Sequence, residues 1–231
     1  MKYGIIFLIL GCLLLACGWM MESRMAQFAA VYSTLGFLAV GIGYLLKLDA
    51  VWLKRRNGTL GLVSFAFYLP LHVLNWLSLR LATCNKNYPS RHELVPNLWF
   101  GRRPFSCEAK AMLANESWAV VDLTAEFSEP KDLRRGKFLC LPTLDHTAPT
   151  PSQIKAALRF IAAEKATHKV LVHCALGHGR SATIVAAWLL QNGLAKTVAD
   201  AESKLREIRS GVRLKSSQRR LLDEMLSKND L

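Results

Sequence analysis

Three long apolar segments near the N-terminus constrain the fold of this chain more than any other feature. Tyr3–Met21, Met25–Leu46 and Asn57–Leu79 contain no Asp, Glu, Lys or Arg. Each approaches or exceeds the ~20 residues that a helix needs to cross the hydrocarbon core of a bilayer. We therefore predict membrane-spanning helices. The third segment contains Pro70 and the polar His72, so it either kinks or lies partly in the membrane interface.

Two other interpretations of these segments stay open. Leu14–Cys17 has the pattern of a bacterial lipobox, which would make the first segment a signal peptide with Lys2 at its positive end. The two apolar segments that follow favour a retained span instead. The other alternative is three buried core helices of a water-soluble protein, which the lengths of the apolar runs disfavour.

The rest of the chain has the composition of a water-soluble domain. Residues 1–83 carry seven of the 30 Lys and Arg and two of the 17 Asp and Glu, which leaves a net charge of +8 on the other 148 residues. The six cysteines lack the spacing of a disulfide framework, and the composition is not that of a disordered or collagen-like chain. We predict a membrane-anchoring region over 1–83, a linker over 84–93 and a globular domain over 94–231.

Strands and helices alternate in the globular part. The clearest helix start is Thr150, followed by Pro151 and by Gln153 at the position of a capping box. The alternation indicates an α/β fold with a largely parallel sheet. The predicted strands are Leu94–Phe100, Trp118–Leu123, Lys137–Leu141 and Lys169–Val172, and the other predicted helices cover 106–117, 181–192, 197–210 and 217–228.

The segment HCALGHGRS at 173–181 joins the last predicted strand to a helix. The backbone N–H groups of such a loop and the positive end of the helix dipole favour a bound phosphate. Glycines permit the positive φ values that curl the loop, and the planar guanidinium of Arg180 can bind two phosphate oxygens. The predicted phosphate-binding residues are Ala175, Leu176, Gly177, His178, Gly179 and Arg180.

Cys174 lies at the base of this predicted phosphate loop. The loop N–H groups and Arg180 favour its thiolate, which is the nucleophilic form of cysteine. A thiolate beside a bound phosphate is arranged for in-line attack on phosphorus, and Ser181 can donate a hydrogen bond to the sulfur. Two alternatives stay open. One is a buried cysteine without a catalytic role, and the other is a rhodanese-like sulfurtransferase loop, which has no need of the Arg180-Ser181 ending.

The complete string at 173–181 resembles the signature loop of the protein tyrosine and dual-specificity phosphatase superfamily. The resemblance extends over about 94–226. It implies an α/β fold with a dual-specificity-phosphatase-like central sheet flanked by helices, here preceded by three, or only two, transmembrane helices. It also implies catalysis without a metal ion or other cofactor.

The resemblance further implies a general acid on a loop ahead of the nucleophile. Asp145, in the segment LPTLDHTAP, precedes Cys174 by 29 residues and fits this role. Asp122 is the competing candidate, although it lies within an apolar strand. We expect His146 to be a solvated loop residue. His173 is expected to orient the loop and to support the thiolate.

Within the superfamily, the chain is most similar to lipid-headgroup phosphatases related to the mitochondrial phosphatidylglycerophosphate phosphatase. That group carries an acidic-aromatic motif near the site, to which Glu126-Phe127 corresponds here, so Glu126 is a candidate substrate contact. Some superfamily members form a redox disulfide with the catalytic cysteine. In this chain Cys140 would be the partner of Cys174.

These features predict a membrane-anchored phosphatase that hydrolyses phosphomonoesters through a cysteinyl-phosphate. Relatives that act on polyphosphoinositides carry Lys where this loop has Ala175, Leu176 and His178, so a singly phosphorylated substrate is expected. A phospholipid headgroup is one candidate, and a phosphotyrosine, phosphoserine or phosphothreonine protein is the alternative. A phosphate-binding pseudophosphatase is disfavoured by the intact Cys174 and Arg180. We expect membrane lipids as partners and no nucleic acid.

Charge and chemistry give opposite predictions for the side of the membrane. With three spans, Lys2 and the basic loop 47–56 lie on one side and the globular domain lies on the other, so the positive-inside rule favours an outside domain. A catalytic thiolate, however, stays reduced in the cytoplasm. We predict a multi-pass membrane protein with a cytoplasmic globular domain, in which one apolar segment does not span fully.

Overall fold

The computed structural model describes residues 2–84, 88–114 and 116–231 and begins with three apolar helices. Helices α1 (Lys2–Trp19), α2 (Arg24–Leu45) and α3 (Leu62–Thr83) are each long and apolar enough to cross a membrane. A 3-10 turn over Asp49–Trp52 lies between α2 and α3. The apolar segments are therefore helical as predicted. Residues 85–87 of the predicted linker lie outside the described residues.

Helices α1 and α2 form a closely packed antiparallel hairpin. Gly4, Gly11 and Gly18 recur every seven residues on the face of α1 that contacts α2, and all three are buried. A Cβ at Gly4 would lie 2.9 Å from the carbonyl oxygen of Gly41, and one at Gly18 would lie 2.3 Å from the Cβ of Ala30. Small residues thus let the two helix backbones approach closely, as is typical of helix packing in membranes.

Helix α3 is kinked near its middle. Pro70 has no N–H to donate to the carbonyl of Ala66, and Tyr68 has non-helical angles of φ −106° and ψ 19°. The hydroxyl of Tyr32, on α2, donates a hydrogen bond to the carbonyl of Ala66. The carbonyl oxygen of Ala66, which loses its helical donor at Pro70, therefore accepts a hydrogen bond from the neighbouring helix α2 instead.

The globular part is built on one five-stranded sheet in the order β1-β2-β5-β3-β4. The strands are β1 (Arg91–Val95), β2 (Leu98–Arg102), β3 (Trp118–Thr124), β4 (Lys137–Thr143) and β5 (Lys169–Cys174). All neighbouring pairs are parallel except β1 and β2. The predicted first strand, Leu94–Phe100, is wrong. Asn97 has a φ of 65° and turns the chain, so two antiparallel strands occupy this region.

Five helices cover the two faces of this sheet. They are α4 (Ser106–Leu113), α5 (Pro151–Glu164), α6 (Arg180–Gln191), α7 (Val198–Ile208) and α8 (Ser216–Ser227). The predicted capping box opens α5, because Thr150 Oγ1 accepts from the N–H of Gln153 while the Gln153 side chain accepts from the N–H of Thr150. Helix α4 ends earlier than predicted. The α/β fold predicted from the sequence is confirmed.

Side chains of the central strands alternate between two cores. On β3, Ala119 and Val121 are buried in the main core beneath α5 and α6, whereas Trp118 and Val120 pack with α4 on the opposite face. The side chain of Asp122 lies on the same face of β3 as those of Trp118 and Val120, and Asp122 is directly opposite His173 of β5. A carboxylate is thereby buried within the sheet, directly beside the catalytic strand.

A lysine from the N-terminal region neutralises this carboxylate. Lys54, in the loop between α2 and α3, places Nζ 2.6 Å from Asp122 Oδ2 and 2.6 Å from the carbonyl oxygen of Thr124. Both charged side chains are completely buried. The same loop is bound by two further hydrogen bonds, from the N–H of Glu129 to the carbonyl of Gly58 and from the N–H of Leu60 to Ser128. The anchor loop and the globular part therefore lie side by side.

This contact bears on the side of the membrane that the globular domain occupies. The predicted three-span arrangement has loop 47–56 and the globular domain on opposite sides of the membrane, whereas in the structure Lys54 of this loop is bonded to Asp122. Tyr3, at the start of α1, also reaches the globular part, where its ring stacks on His146 with centroids 4.2 Å apart. The start of α1 and the basic loop after α2 thus both contact the globular part.

Replacing Lys54 should strongly destabilise the protein. In Lys54→Met the carboxylate of Asp122 stays buried without its cation, which costs about 3–5 kcal/mol. We expect a markedly lower midpoint of thermal unfolding for the full-length protein in detergent. Lys47→Met, which changes an exposed lysine near the same loop, is the matched control. Lys54→Met/Asp122→Asn should recover part of the loss. Equal midpoints for Lys54→Met and wild type would contradict this account.

Candidate active site

Cys174 ends β5 at the centre of the sheet and is only 3% exposed. The preceding residues, Val170–Val172, are fully buried between β2 and β3, so the end of the strand has a fixed position. The N–H of Gly177 lies 3.3 Å from the sulfur and donates to it. Ser181 Oγ lies 3.4 Å from the same atom. The sulfur thus lies within hydrogen-bond distance of a backbone N–H group and of a hydroxyl group.

The loop after Cys174 is shaped by close backbone packing. Gly177 has a φ of +76°, and a Cβ there would lie 2.4 Å from the carbonyl carbon of Gly101 on β2. The carbonyl of Leu176 accepts hydrogen bonds from Tyr88 Oη at 2.8 Å and from Arg209 Nη2 at 2.9 Å. These two bonds fix the direction of the Leu176 carbonyl group. Sequence reasoning did not identify Tyr88 or Arg209, because neither lies near the loop in the chain.

Arg180 is the first residue of α6 and its side chain is almost completely buried. Its guanidinium forms a bidentate ion pair with Glu126, with Nη2–Oε1 at 2.7 Å and Nη1–Oε2 at 2.9 Å. Nη1 also donates to the carbonyl of Thr143 at 2.7 Å. Burial opposes the charge, but Glu126 and Asp145 raise the pKa of Arg180 above its ordinary value. Glu126, a candidate from a two-residue motif, therefore lies directly at the site.

Asp145 lies on the loop after β4 and is the second carboxylate beside Arg180. Its Oδ1 is 3.1 Å from Arg180 Nη2, and its side chain is about half exposed, with a relative accessibility of 47%. Burial raises the pKa of Asp145, but the guanidinium of Arg180 and the neighbouring His146 hold it below its ordinary value. His146 has a φ of 59° and lies 3.4 Å from the second carboxylate oxygen. It is not simply solvated, because its ring is stacked on Tyr3.

His173 is fully buried in a cluster behind the catalytic loop. Burial lowers the pKa of His173 to about 4. Burial and the charge of Asp122 raise the pKa of Glu129 to about 8. His173 Nε2 lies 3.5 Å from Glu129 Oε1. Ligand atoms of Asp122, Glu129 and His173 lie within 4.8 Å of one another, which is close enough for a metal ion. The ammonium of Lys54 already occupies Asp122, so the cluster is neutralised by the chain itself.

The catalytic pocket has a volume of about 220 Å³ and includes two basic residues from outside the loop. Arg213 and Lys215 line it together with Cys174, Arg180 and Asp145. Both belong to the segment RLKSSQRRLL, but the sequence did not identify them as site residues. The loop residue His178 adds no charge near neutral pH, because burial and the nearby Arg209 lower its pKa to about 4. Positive charge is therefore present beside the loop, although the loop itself lacks lysine.

A second cavity of about 210 Å³ adjoins the catalytic pocket. Asp145, His146, Ala175 and Leu176 line both spaces. The opposite wall of the second cavity comes from the apolar helices and the turn after α2: Tyr3, Phe7, Tyr44, Trp52, Asn75, Ser78 and Leu79. The N-terminal helices thus form part of the surroundings of this pocket.

The structure brings most of the predicted site residues together. Cys174, Arg180, Ser181, Asp145 and Glu126 meet around one pocket, and the loop residues Ala175–Gly179 form its cradle. Two candidates lie elsewhere. Asp122, the competing acid, is paired with Lys54 inside the sheet. Cys140 cannot form the considered disulfide with Cys174, because β3 separates their strands by about 10 Å.

Curated relatives of this chain are phosphatases. The phosphatidylglycerophosphate phosphatase PTPMT2 of Arabidopsis thaliana is 39% identical over 88 residues, which cover 37% of this chain and 38% of the relative. The dual specificity protein phosphatase Mpk3 of Drosophila melanogaster is 32% identical over 105 residues, which cover 42% of this chain and 25% of the relative. The matches therefore span well under half of each relative.

The fold and the family follow from two further comparisons. The crystal structure of Tk-PTP in the active form matches with a TM-score of 0.55 and 28% identity, covering 61% of this chain and 99% of that one. The family model for the dual specificity phosphatase catalytic domain matches residues 99–227, more than half of the chain. Its range includes the complete loop 173–181, Asp145 and Glu126. The resemblance predicted from the sequence is confirmed, and the chain belongs to the dual specificity phosphatase family.

Proposed function

We propose that this protein is a membrane-anchored, cysteine-dependent phosphatase that removes a terminal phosphate from a phospholipid headgroup. The chemistry rests on the convergence of the Cys174 sulfur, the Gly177 N–H, the Arg180 guanidinium and the Asp145 carboxyl group in one pocket. Four further pockets among the described residues contain no cysteine.

In the first step, the thiolate of Cys174 attacks phosphorus while loop N–H groups and Arg180 hold the phosphate oxygens. The bond from phosphorus to the ester oxygen breaks, and the carboxylic acid of Asp145 protonates that oxygen. In the second step, Asp145 accepts a proton from water, the water oxygen bonds to phosphorus, and the sulfur departs as a thiolate. Ser181, 3.4 Å from the sulfur, stabilises the departing thiolate by a hydrogen bond.

The ion pair between Arg180 and Asp145 belongs to the substrate-free enzyme. Without substrate, the guanidinium keeps Asp145 ionised, as the lowered pKa of this carboxyl group indicates. A bound phosphate dianion shares the guanidinium and places negative charge beside the carboxylate. Both effects raise the pKa of Asp145 and favour the protonated form that a general acid requires. Glu126 remains bound to the buried edge of Arg180 and keeps the guanidinium oriented.

A lipid substrate is favoured by the position of the apolar helices. Tyr3 of α1 stacks on His146 at one side of the pocket, and Leu79 of α3 packs with Phe127 and Ala175 at the other. Any membrane that holds these helices is therefore close to the pocket. The net charge of +13 adds attraction to anionic lipid, about 1 kcal/mol for each basic residue near the surface. The similarity to a phosphatidylglycerophosphate phosphatase supports the same substrate class.

A phosphoprotein substrate is the second candidate. The similarity to the dual specificity protein phosphatase Mpk3 favours it, and Arg213 and Lys215 beside the pocket would suit an acidic phosphopeptide. A phosphate-binding protein without activity is disfavoured, because Cys174, Arg180 and Asp145 are all in place. The predicted division into an anchor (1–83), a linker (84–93) and a catalytic domain (94–231) stays a proposal.

We propose that α1 and α2 cross the membrane as a hairpin while α3 lies on the membrane surface. One end of α3 is held at the turn after α2, where Ser64 donates to the carbonyl of Trp52, and the other end packs on the catalytic part, where Leu79 contacts Phe127. The opposite side of α3 is apolar and exposed, with Leu62 83% and Leu81 65% accessible. The hairpin then returns to the side on which it started, so Lys2, the basic loop 47–56 and the catalytic part share one side, which the positive-inside rule assigns to the cytoplasm.

The role of Asp145 predicts a dependence on the leaving group. In Asp145→Asn, hydrolysis of an alkyl phosphate should fall by about 10²-fold or more, because an alkoxide needs a proton to leave. Hydrolysis of 4-nitrophenyl phosphate should fall much less, and the basic limb of the kcat/KM profile should disappear. Cys174→Ser is the control and should abolish both activities. Equal losses on both substrates in Asp145→Asn would return the assignment to Asp122.

The substrate class is tested by direct competition between candidates. For the full-length protein in mixed micelles, we expect kcat/KM for phosphatidylglycerophosphate to exceed that for phosphotyrosine peptides by about tenfold or more, equivalent to 1.4 kcal/mol. High ionic strength should weaken the preference, because salt screens the attraction of the basic surface to anionic lipid. A preference for the peptides that persists in membranes would end the lipid proposal.

The membrane arrangement predicts the positions of two reporters in a Gram-negative host. A reporter enzyme that is active only in the periplasm should be active when inserted between Met21 and Glu22, in the turn of the hairpin. The same enzyme should be inactive when fused after Leu231, because the catalytic part lies in the cytoplasm. Activity of the fusion at Leu231 would show that the number of spans is odd and would overturn this arrangement.

A further inference from the structure

A cavity lies between the apolar helices and the loop of Cys174. It takes no part in the formation or the hydrolysis of the cysteinyl-phosphate. It measures about 210 Å³ and shares the wall formed by Asp145, His146, Ala175 and Leu176 with the catalytic pocket. A group bound to Cys174 would therefore be separated from this cavity only by the general acid and the first residues of the loop.

The leaving group should lie on the side of Asp145. The carboxyl group protonates the ester oxygen, and that oxygen joins the phosphate to the rest of the substrate. Because Asp145 lines both spaces, the part of the substrate attached to this oxygen can extend from the catalytic pocket into the cavity. The cavity is therefore placed to receive the portion of the substrate next to the scissile bond.

The cavity contains a polar group without a partner. Asn75 of α3 lines it, and its Nδ2 atom is buried with no hydrogen-bond partner among residues 2–84, 88–114 and 116–231. A buried amide that lacks a partner is unfavourable by about 1–3 kcal/mol. Ser78, one helical turn further along α3, lines the same space and adds a hydroxyl group. Phe7 and Leu79 provide apolar surface beside them.

We propose that this cavity is a headgroup subsite, which binds the polyol linker between the terminal phosphate and the diacylglycerol part of a phospholipid. This inference rests on the proposed lipid phosphatase function. Asn75 donates a hydrogen bond to a hydroxyl or phosphodiester oxygen of the linker, which satisfies its free N–H group. The volume is below the roughly 300–1,000 Å³ of pockets for drug-sized ligands, so it suits a short linker and not acyl chains. The acyl chains stay in the bilayer beside the exposed faces of α1 and α3.

The test compares two lipids in the full-length protein. Phosphatidylglycerophosphate carries its terminal phosphate on a glycerol linker, whereas phosphatidic acid carries it directly on the diacylglycerol. In mixed micelles, Asn75→Leu should lower the ratio of kcat/KM for the first lipid to that for the second by up to about tenfold, the effect of one hydrogen bond. The change should arise mainly in KM. Leu77→Ala, on the exposed face of α3, is the matched control and should keep the ratio within about twofold.

Three results would overturn this assignment. An unchanged ratio in Asn75→Leu, or an equal loss on both lipids together with a lower unfolding temperature, would give Asn75 a structural role only. Wild-type protein that hydrolyses phosphatidic acid but not the glycerol-linked lipid would exclude the headgroup subsite while leaving a lipid phosphatase. Failure of both lipids beside rapid hydrolysis of phosphopeptides would instead end the proposed function, and the subsite with it.

Discussion

The bidentate ion pair between Arg180 and Glu126 is the interaction on which the catalytic pocket depends. A buried guanidinium without a partner is unfavourable by several kcal/mol, and Glu126 supplies a charge and two well-aligned acceptors. The carbonyl of Thr143 adds a third acceptor, and Asp145 lies against the remaining accessible edge. One side chain thereby joins the loops that follow β3 and β4 to the start of α6. The loop of Cys174 lies where these segments meet at Arg180.

A second buried ion pair joins the N-terminal region to the catalytic part. Apart from Asp122 and Thr124 the side chains of β3 are apolar, so the charge of Asp122 needs a cation inside the sheet, and Lys54 provides it from the loop after α2. Asp122 is the register partner of His173, the residue before the nucleophile. Lys54 is therefore bonded to the residue that lies opposite His173 in the sheet. Stability and site geometry are coupled here, because an unpaired carboxylate at this position would disturb the strand that ends in Cys174.

The polar groups on the apolar helix α3 lie on the side that faces the rest of the protein. On α3, Ser64 and His72 are buried against the turn after α2, and Asn75 faces the cavity beside the catalytic loop. Many apolar side chains of the same helix, such as Leu62, Val63 and Leu81, are exposed. In a water-soluble protein this arrangement would be unfavourable, whereas at a membrane surface the exposed side chains find lipid and the polar ones find the protein. The helices thus present an apolar outer surface and form one wall of the space beside the active site.

The sequence by itself determined the features whose physics is local. The string at 173–181 identified the family, the apolar runs identified the helices and most strands, and the capping box at Thr150 located the start of α5. Asp145 was found through the resemblance, since its partner Arg180 lies 35 residues away. Only the tertiary structure decided the rest. Lys54 looked like a charge flanking a membrane span, but it pairs with a carboxylate 68 residues later in the chain. Which buried charge meets which cation depends on strand order and on the face that each strand presents, and neither is encoded in local spacing.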